Sequence, residues 1–280
     1  MVFIMEAWHI PIAIFLGYLL SKWINKVKTI VRIATIDIAL PAYMFFVAYS
    51  GIKLDDMYAF VFGILASILG ILSAGIIFKG SKLKKEAMIM SSLGNCVIFG
   101  FPIILSLGLP EKIAVVYVQG HNLIALTLIP FIVTENIKNL SRGFYNAIRT
   151  PLIIGFLLGL IFSPWDGLRN VSGVIKHYLS YSFYILLLYL GSNLKKGAFD
   201  KRFTIGVFLS KIIIPTLIVY PLVIFFSREI MMTTLVLTAA PPAILTNAII
   251  SKYGLREDIS AFTTLVLTLI AMIPYLALSF

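Results

Sequence analysis

The chain has 280 residues, of which 60% are hydrophobic and only 12% charged, and its mean hydropathy is +1.00. That is about half the charge of a soluble domain, so the composition excludes a soluble enzyme and leaves little length for any soluble domain. The formal net charge of +11 does not point to nucleic acid, because the basic residues gather in short loops, where they suit an anionic membrane surface and a cytoplasm.

A spanning helix needs about 20 apolar residues. Ten candidate spans are read, near 4–21, 33–50, 57–78, 87–108, 112–133, 150–163, 173–192, 203–226, 231–251 and 258–279, the sixth being short. The expected fold is all-α. The first span has no basic start, and its positive charges follow the apolar run, which argues against a cleaved signal peptide. Glu6 and His9 fall near its outer mouth, where solvation is their ordinary role. In the second span Asp37 precedes Pro41. Two readings of it are open, a shallow ion pair with Arg32 or a coupling role in a proton relay.

The fourth span holds the stretch around which the rest is organised, Gly94-Asn95-Cys96-Val97-Ile98-Phe99-Gly100-Phe101-Pro102-Ile103. Pro102 lacks an amide hydrogen and its ring opposes the carbonyl of Ile98. Phe101 before it is expected away from helical angles, and Gly100 lets the backbone turn. In lipid a freed carbonyl survives only where protein or a wet cavity covers it. Asn95 can donate to a carboxylate or cap freed backbone groups. Cys96 is the single cysteine, so no internal disulfide forms; it lines the site or is a small apolar filler. The fifth span carries a polar patch of Gln119, His121, Asn122 and Thr127, with Gln119 and Asn122 on one helix face by their spacing. The patch faces a crossing point or makes hydrogen bonds between helices.

Residues 134–149 are polar with scattered apolar positions and read as a cytoplasmic linker, with an interfacial amphipathic helix one form it can take. In the eighth span Lys211 lies roughly 12 Å deep at the helical rise; its stem snorkels to the surface, or its ammonium is a positive lure for an anion and a coupling candidate. A second break follows in Ala239-Ala240-Pro241-Pro242-Ala243-Ile244-Leu245-Thr246-Asn247, which frees the carbonyls of Leu237 and Thr238. The histidines His9, His121 and His177 are too scattered for a metal site, and no catalytic triad, carboxylate pair or phosphate-binding loop is read. No metal or cofactor is expected beyond a coupled proton or sodium ion, and the chain is not expected to be an enzyme.

With the loops numbered in order, seventeen of the 23 Lys and Arg fall in odd loops and five in even ones, with Lys211 inside a span. The odd loops are therefore expected in the cytoplasm and both termini outside. Pro11 and Pro151, Gly51 and Gly191, Leu54 and Leu194, and Pro102 and Pro242 are each 140 residues apart, and Glu111 to Pro130 rhymes with Glu257 to Pro274. An odd number of spans per half then gives an inverted repeat, with residues 1–133 and 150–280 as the two five-helix halves. Interrupted spans in corresponding places of two such halves point to a transporter's binding site.

Asn95 to Pro102 resembles the Asn-x-x-x-x-Gly-x-Pro element of the auxin efflux carrier family. Pro242-Ala243 followed by Ala248 to Tyr253-Gly254 resembles its second element, and Leu40-Pro41-Ala42, Pro151-Leu152-Ile153-Ile154 and Leu190-Gly191 are also similar. The chain lacks the long central hydrophilic loop of the plant carriers and so looks like the short prokaryotic type. The resemblance implies ten helices of the sodium–bile acid symporter type. Spans four and nine are broken and cross near the midplane, spans three to five and eight to ten form a mobile core, and spans one, two, six and seven form a scaffold. It implies export or exchange of organic anions. Cys96 stands where members often carry a small polar residue or glycine. The partners expected are a small organic anion, the bilayer, and a second copy through the scaffold helices.

The function expected is secondary transport of a small organic anion by alternating access, in a prokaryotic plasma membrane. Asn95, Cys96, Gly100, Pro102, Gln119, Asn122, Pro241, Pro242 and Asn247 are the expected binding residues, and Asp37, His121 and Lys211 the coupling candidates. The alternatives are a sodium-coupled symporter of the bile-acid type, and a membrane enzyme or receptor.

Overall fold

A computed structural model describes residues 6, 8–194 and 197–277, with side chains through 274. The first residues expected in span one, Lys195 and Lys196 of the basic loops, and the last two residues expected in span ten lie outside the described residues. Among the described residues the chain is all-helical, and its strand-like pairing is a single bridge between Gly94 and Pro242.

The helices are labelled here in chain order. They are α1 His9–Leu19, α2 Lys28–Tyr49, α3 Asp55–Ile77, α4 Lys84–Ser92, α5 Cys96–Ser106, α6 Glu111–Thr134 and α7 Lys138–Ile148. There follow α8 Pro151–Phe162, α9 Asp166–Asn193, α10 Lys201–Val223, α11 Arg228–Thr238, α12 Ile244–Lys252 and α13 Glu257–Ala277. Six of these, α2, α3, α6, α9, α10 and α13, are long and apolar enough to cross a membrane, and α7 with α8 make a seventh if a 60° bend is counted within one span. Helices of this length and apolarity are those of an integral membrane protein. The remaining expected spans correspond to the short α1 and to two pairs of short helices, α4 with α5 and α11 with α12, each separated by a few non-helical residues.

Three helices carry a widened turn that ends two residues before a proline: Ile33–Ala39 before Pro41, Cys96–Gly100 before Pro102, and Leu209–Ile213 before Pro215. A wide i→i+5 turn lets the chain stay helical where proline supplies no N–H. This corrects the expectation at Phe101, which is helical at φ −60 and ψ −48. The break sits upstream, where Leu93 is extended and Asn95 leaves helical angles. Pro102 falls in the tolerated first turn after the wide turn, and the new helix begins at Cys96. The second break is where the two prolines place it. Helix α11 ends at Thr238, Ala243 is extended, and α12 starts at Ile244.

Backbones approach closely at small residues, as they do in membrane bundles. A Cβ at Gly17 would fall 2.1 Å from the carbonyl oxygen of Leu188, and one at Gly191 would fall 1.9 Å from that of Ile14, so α1 lies directly on α9. Helix α8 lies on α2 in the same way, at Gly155 against Pro41 and Gly159 against Phe45. Gly63 and Gly120 lock α3 to α6 through Tyr117 and Phe60. The expected linker is the helix α7, seated on α6 where Gly143 meets the carbonyl of Thr127.

Gly191→Ala is expected to lower the stability of the purified protein by about 1–3 kcal/mol, the usual cost of overpacking. Gly173→Ala, where nothing lies within 4 Å of the added carbon, is the control and should leave the melting temperature unchanged or slightly raised. Equal melting of the two variants would contradict the packing of α1 on α9.

Candidate functional site

The two breaks meet. The N–H of Asn95 donates to the carbonyl of Pro241 at 2.7 Å, and the N–H of Ala243 donates to the carbonyl of Leu93 at 2.9 Å. These bonds form the antiparallel bridge between Gly94 and Pro242. Each break thus supplies the partners that the other lost, and Gly94, Pro241 and Pro242 are all buried. The carbonyl of Asn95 accepts from the amides of both Phe99 and Gly100, which starts α5 on its wide turn.

Three further elements close around the bridge. From α6, His121 is fully buried, and its Nε2 accepts the amide hydrogen of Gly94 at 2.8 Å while Nδ1 lies 3.3 Å from the carbonyl of Gly63. An amide N–H only donates, so the ring hydrogen sits on Nδ1 and the imidazole is neutral in this arrangement. One turn earlier the hydroxyl of Tyr117 meets that of Thr238 at 3.0 Å. From α10, Lys211 is 1% exposed, and its Nζ donates to the carbonyl of Thr238 at 3.2 Å. Ser210 beside it shares a hydroxyl bond with Ser91 of α4 at 2.7 Å, which ties α10 to the first broken pair. From α5, the Cys96 thiol donates to the carbonyl of Leu237 at 3.4 Å, and that carbonyl also accepts from the amide of Ala240.

Among the expected site residues, the structure therefore brings together Asn95, Cys96, Pro241, Pro242, His121 and Lys211. Gly100 joins them through packing, since a Cβ there would lie 2.6 Å from the Leu237 side chain. Pro102 is buried further along α5. Asn247 bonds elsewhere, its Oδ1 accepting from Thr264 of α13 at 3.3 Å. Asp37 pairs with Arg32 at 3.8 Å, with its side chain 41% exposed. Gln119 is buried, and neither of its amide atoms has a partner among the described residues; Asn122 on the same helix is half-buried. Asn95 is also buried, and its Nδ2 has no protein acceptor among the described residues.

The charge at the crossing is one-sided. Among the described residues no carboxylate pairs with Lys211. The buried acid, Glu86 of α4, accepts the backbone N–H of Arg256 with its Oε1. A buried ammonium draws its compensation here from a helix-end carbonyl, with the partial negative charge of that end behind it.

Sequence reasoning missed a second cluster at the start of α6. Glu111, the first residue of that helix, accepts from the Tyr43 hydroxyl of α2 and pairs with Lys176 of α9. Nearby, Phe101 of α5 stacks on Phe183 of α9 with centroids 5.6 Å apart, and Tyr43 meets both rings edge-on. Its one signal in the sequence was the acidic start shared by 111–130 and 257–274.

The chain matches no protein-family model and no curated protein.

His121→Phe keeps much of the ring's volume and removes both nitrogens, which leaves the Gly94 amide without its acceptor. The expected cost is about 1–3 kcal/mol for a buried unsatisfied group, read as a lower melting temperature and faster amide exchange at residues 93–96. Unchanged exchange there would contradict the role assigned to the imidazole.

Proposed function

We propose that the chain is a secondary transporter that moves a small organic anion, such as a mono- or dicarboxylate, by alternating access at the crossed breaks. The carrying observation is the paired crossing itself, with the buried Lys211 against it and, within it, Asn95, whose Nδ2 has no protein acceptor among the described residues. A carboxylate needs donors and positive charge, and buried polar groups in membrane helices mark such pathways. The first amides of α5 and α12 add the positive ends of two helices. An organic cation would need carboxylates, and the described residues bring none to the crossing.

The reading carries ten spans in two inverted five-helix repeats, both termini outside, in a prokaryotic plasma membrane. Reciprocal packing supports the repeat: α1 rests on α9 through Gly17 and Gly191, and α8 on α2 through Gly155 and Gly159. If the halves correspond, these are the same contact made twice. In that arrangement the Glu111–Tyr43–Lys176 cluster and the Phe101–Phe183 stack lie on the outer side. They join α5 and α6, of the moving core, to α2 and α9, of the scaffold. Breaking and remaking that contact is the outer gate of the cycle. The sodium-coupled reading has less in its favour, because the carbonyls of Leu237 and Thr238 already accept from Cys96 and Lys211. Among the described residues, the crossing brings together neither the paired acids nor the activated nucleophile of an enzyme site.

The test is calorimetry on purified protein with a panel of mono- and dicarboxylates. At least one is expected to bind, and Asn95→Ala should weaken it about tenfold or more, the loss of one hydrogen bond to a charged group. Tight binding of an organic cation, with no carboxylate bound at millimolar concentration, would reject the assignment.

A further inference from the structure

The carbonyls freed by the second break are the groups from which broken-helix carriers commonly build a sodium site, namely unwound backbone and the C-terminal end of a half-helix. Here the place is taken. The carbonyl of Thr238 accepts from Lys211 at 3.2 Å, the Thr238 hydroxyl is engaged by Tyr117, and the carbonyl of Leu237 accepts from Cys96 and Ala240. The ammonium is wedged against the first break as well, since a Cβ on Gly94 would fall 3.0 Å from Nζ and 3.1 Å from Cε. Glycine at 94 is thus what admits the lysine to the crossing. Lys211 lies within the wide turn Leu209–Ile213, and the adjoining Ser91–Ser210 bond pins the two elements together.

We propose that the Lys211 ammonium is a tethered cation standing where a coupled sodium ion would bind, so that the carbonyls freed by the second break are satisfied with no ion from solution. This rests on the transporter reading for its consequence, a carrier of anions indifferent to the sodium gradient, though the site itself does not. An ammonium donates to carbonyl oxygens much as a small cation attracts them, and the negative end of the α11 dipole favours either. The tether fixes the amine in place: unlike a bound ion it cannot leave with the cargo, so the same group faces the crossing in every turn of the cycle.

The experiment measures heat stability of the purified protein, without any cargo, in sodium chloride and in choline chloride at matched ionic strength. Wild type is compared with Lys211→Ala and with Lys211→Met, which retains most of the stem and so separates lost packing from lost charge. Wild type is expected to melt at one temperature in both salts. At least one variant is expected to melt lower than wild type in choline and to recover by several degrees, saturably, as sodium is added; folding in sodium but not in choline supports the proposal equally. A saturable sodium response in wild type overturns it, and so do two variants that are both indifferent to sodium, whether folded or not. Because no carboxylate is in the tube and chloride is the same in every sample, failure here is distinct from failure to bind a carboxylate.

Discussion

Two peptide hydrogen bonds, Asn95 to Pro241 and Ala243 to Leu93, are the constraint on which the rest of the structure depends. A bilayer offers no water to an unpaired amide or carbonyl, so a helix broken inside it must find partners in protein. Neither break solves that alone, since Pro241 and Pro242 contribute no N–H and the chain around Gly94 has left its helix. Laid antiparallel, each gives the other what it lacks. The crossing then dictates its neighbours. The remaining amide of Gly94 takes His121, and the remaining carbonyls of Leu237 and Thr238 take Cys96 and Lys211. Each of these side chains is specified by a backbone group that the bridge leaves over.

A crossing satisfied in this way is locally rigid and carries net positive character. Its polar surplus is small and specific: the amide hydrogens of Asn95, the two helix starts, and the ammonium held at Thr238. Rigid binding geometry between elements that can move together is what alternating access requires. The contacts that tie those elements to α2 and α9, the Glu111 cluster with Tyr43 and Lys176 and the Phe101–Phe183 stack, are made between side chains. Such contacts exchange more readily than the glycine-mediated packing of α1 on α9 or α8 on α2. In the proposed cycle, the division between parts that move and parts that hold follows from the kind of contact that joins them.

Much of this was legible in the amino-acid order, because membrane helices must satisfy their own backbone and interruptions therefore stand out. The prolines at 241 and 242 marked the second break directly. Pro102 misled by a few residues, since a widened turn absorbs the missing amide and lets Phe101 stay helical, while the true break falls at Leu93–Asn95 where glycine and asparagine stand. Burial separated residues that spacing alone could not. Lys211 and Asp37 both read as intramembrane charges with two possible fates; the lysine is enclosed at the crossing and the aspartate sits in a half-exposed pair with Arg32. Asn247 had the same chemistry as Asn95, yet lies a full turn beyond the break and bonds Thr264. Tyr43, Glu111 and Lys176 come together only through the fold, from three helices far apart in the chain, and no local pattern links them.

Counterflow in proteoliposomes tests the central claim most directly. Vesicles loaded with an unlabelled carboxylate that the purified chain binds are diluted into its labelled form. The account predicts transient accumulation of label above equilibrium, which exchange through one alternating site produces and which a receptor or an enzyme does not. Label uptake no faster than in protein-free vesicles, for every carboxylate that binds, would contradict it.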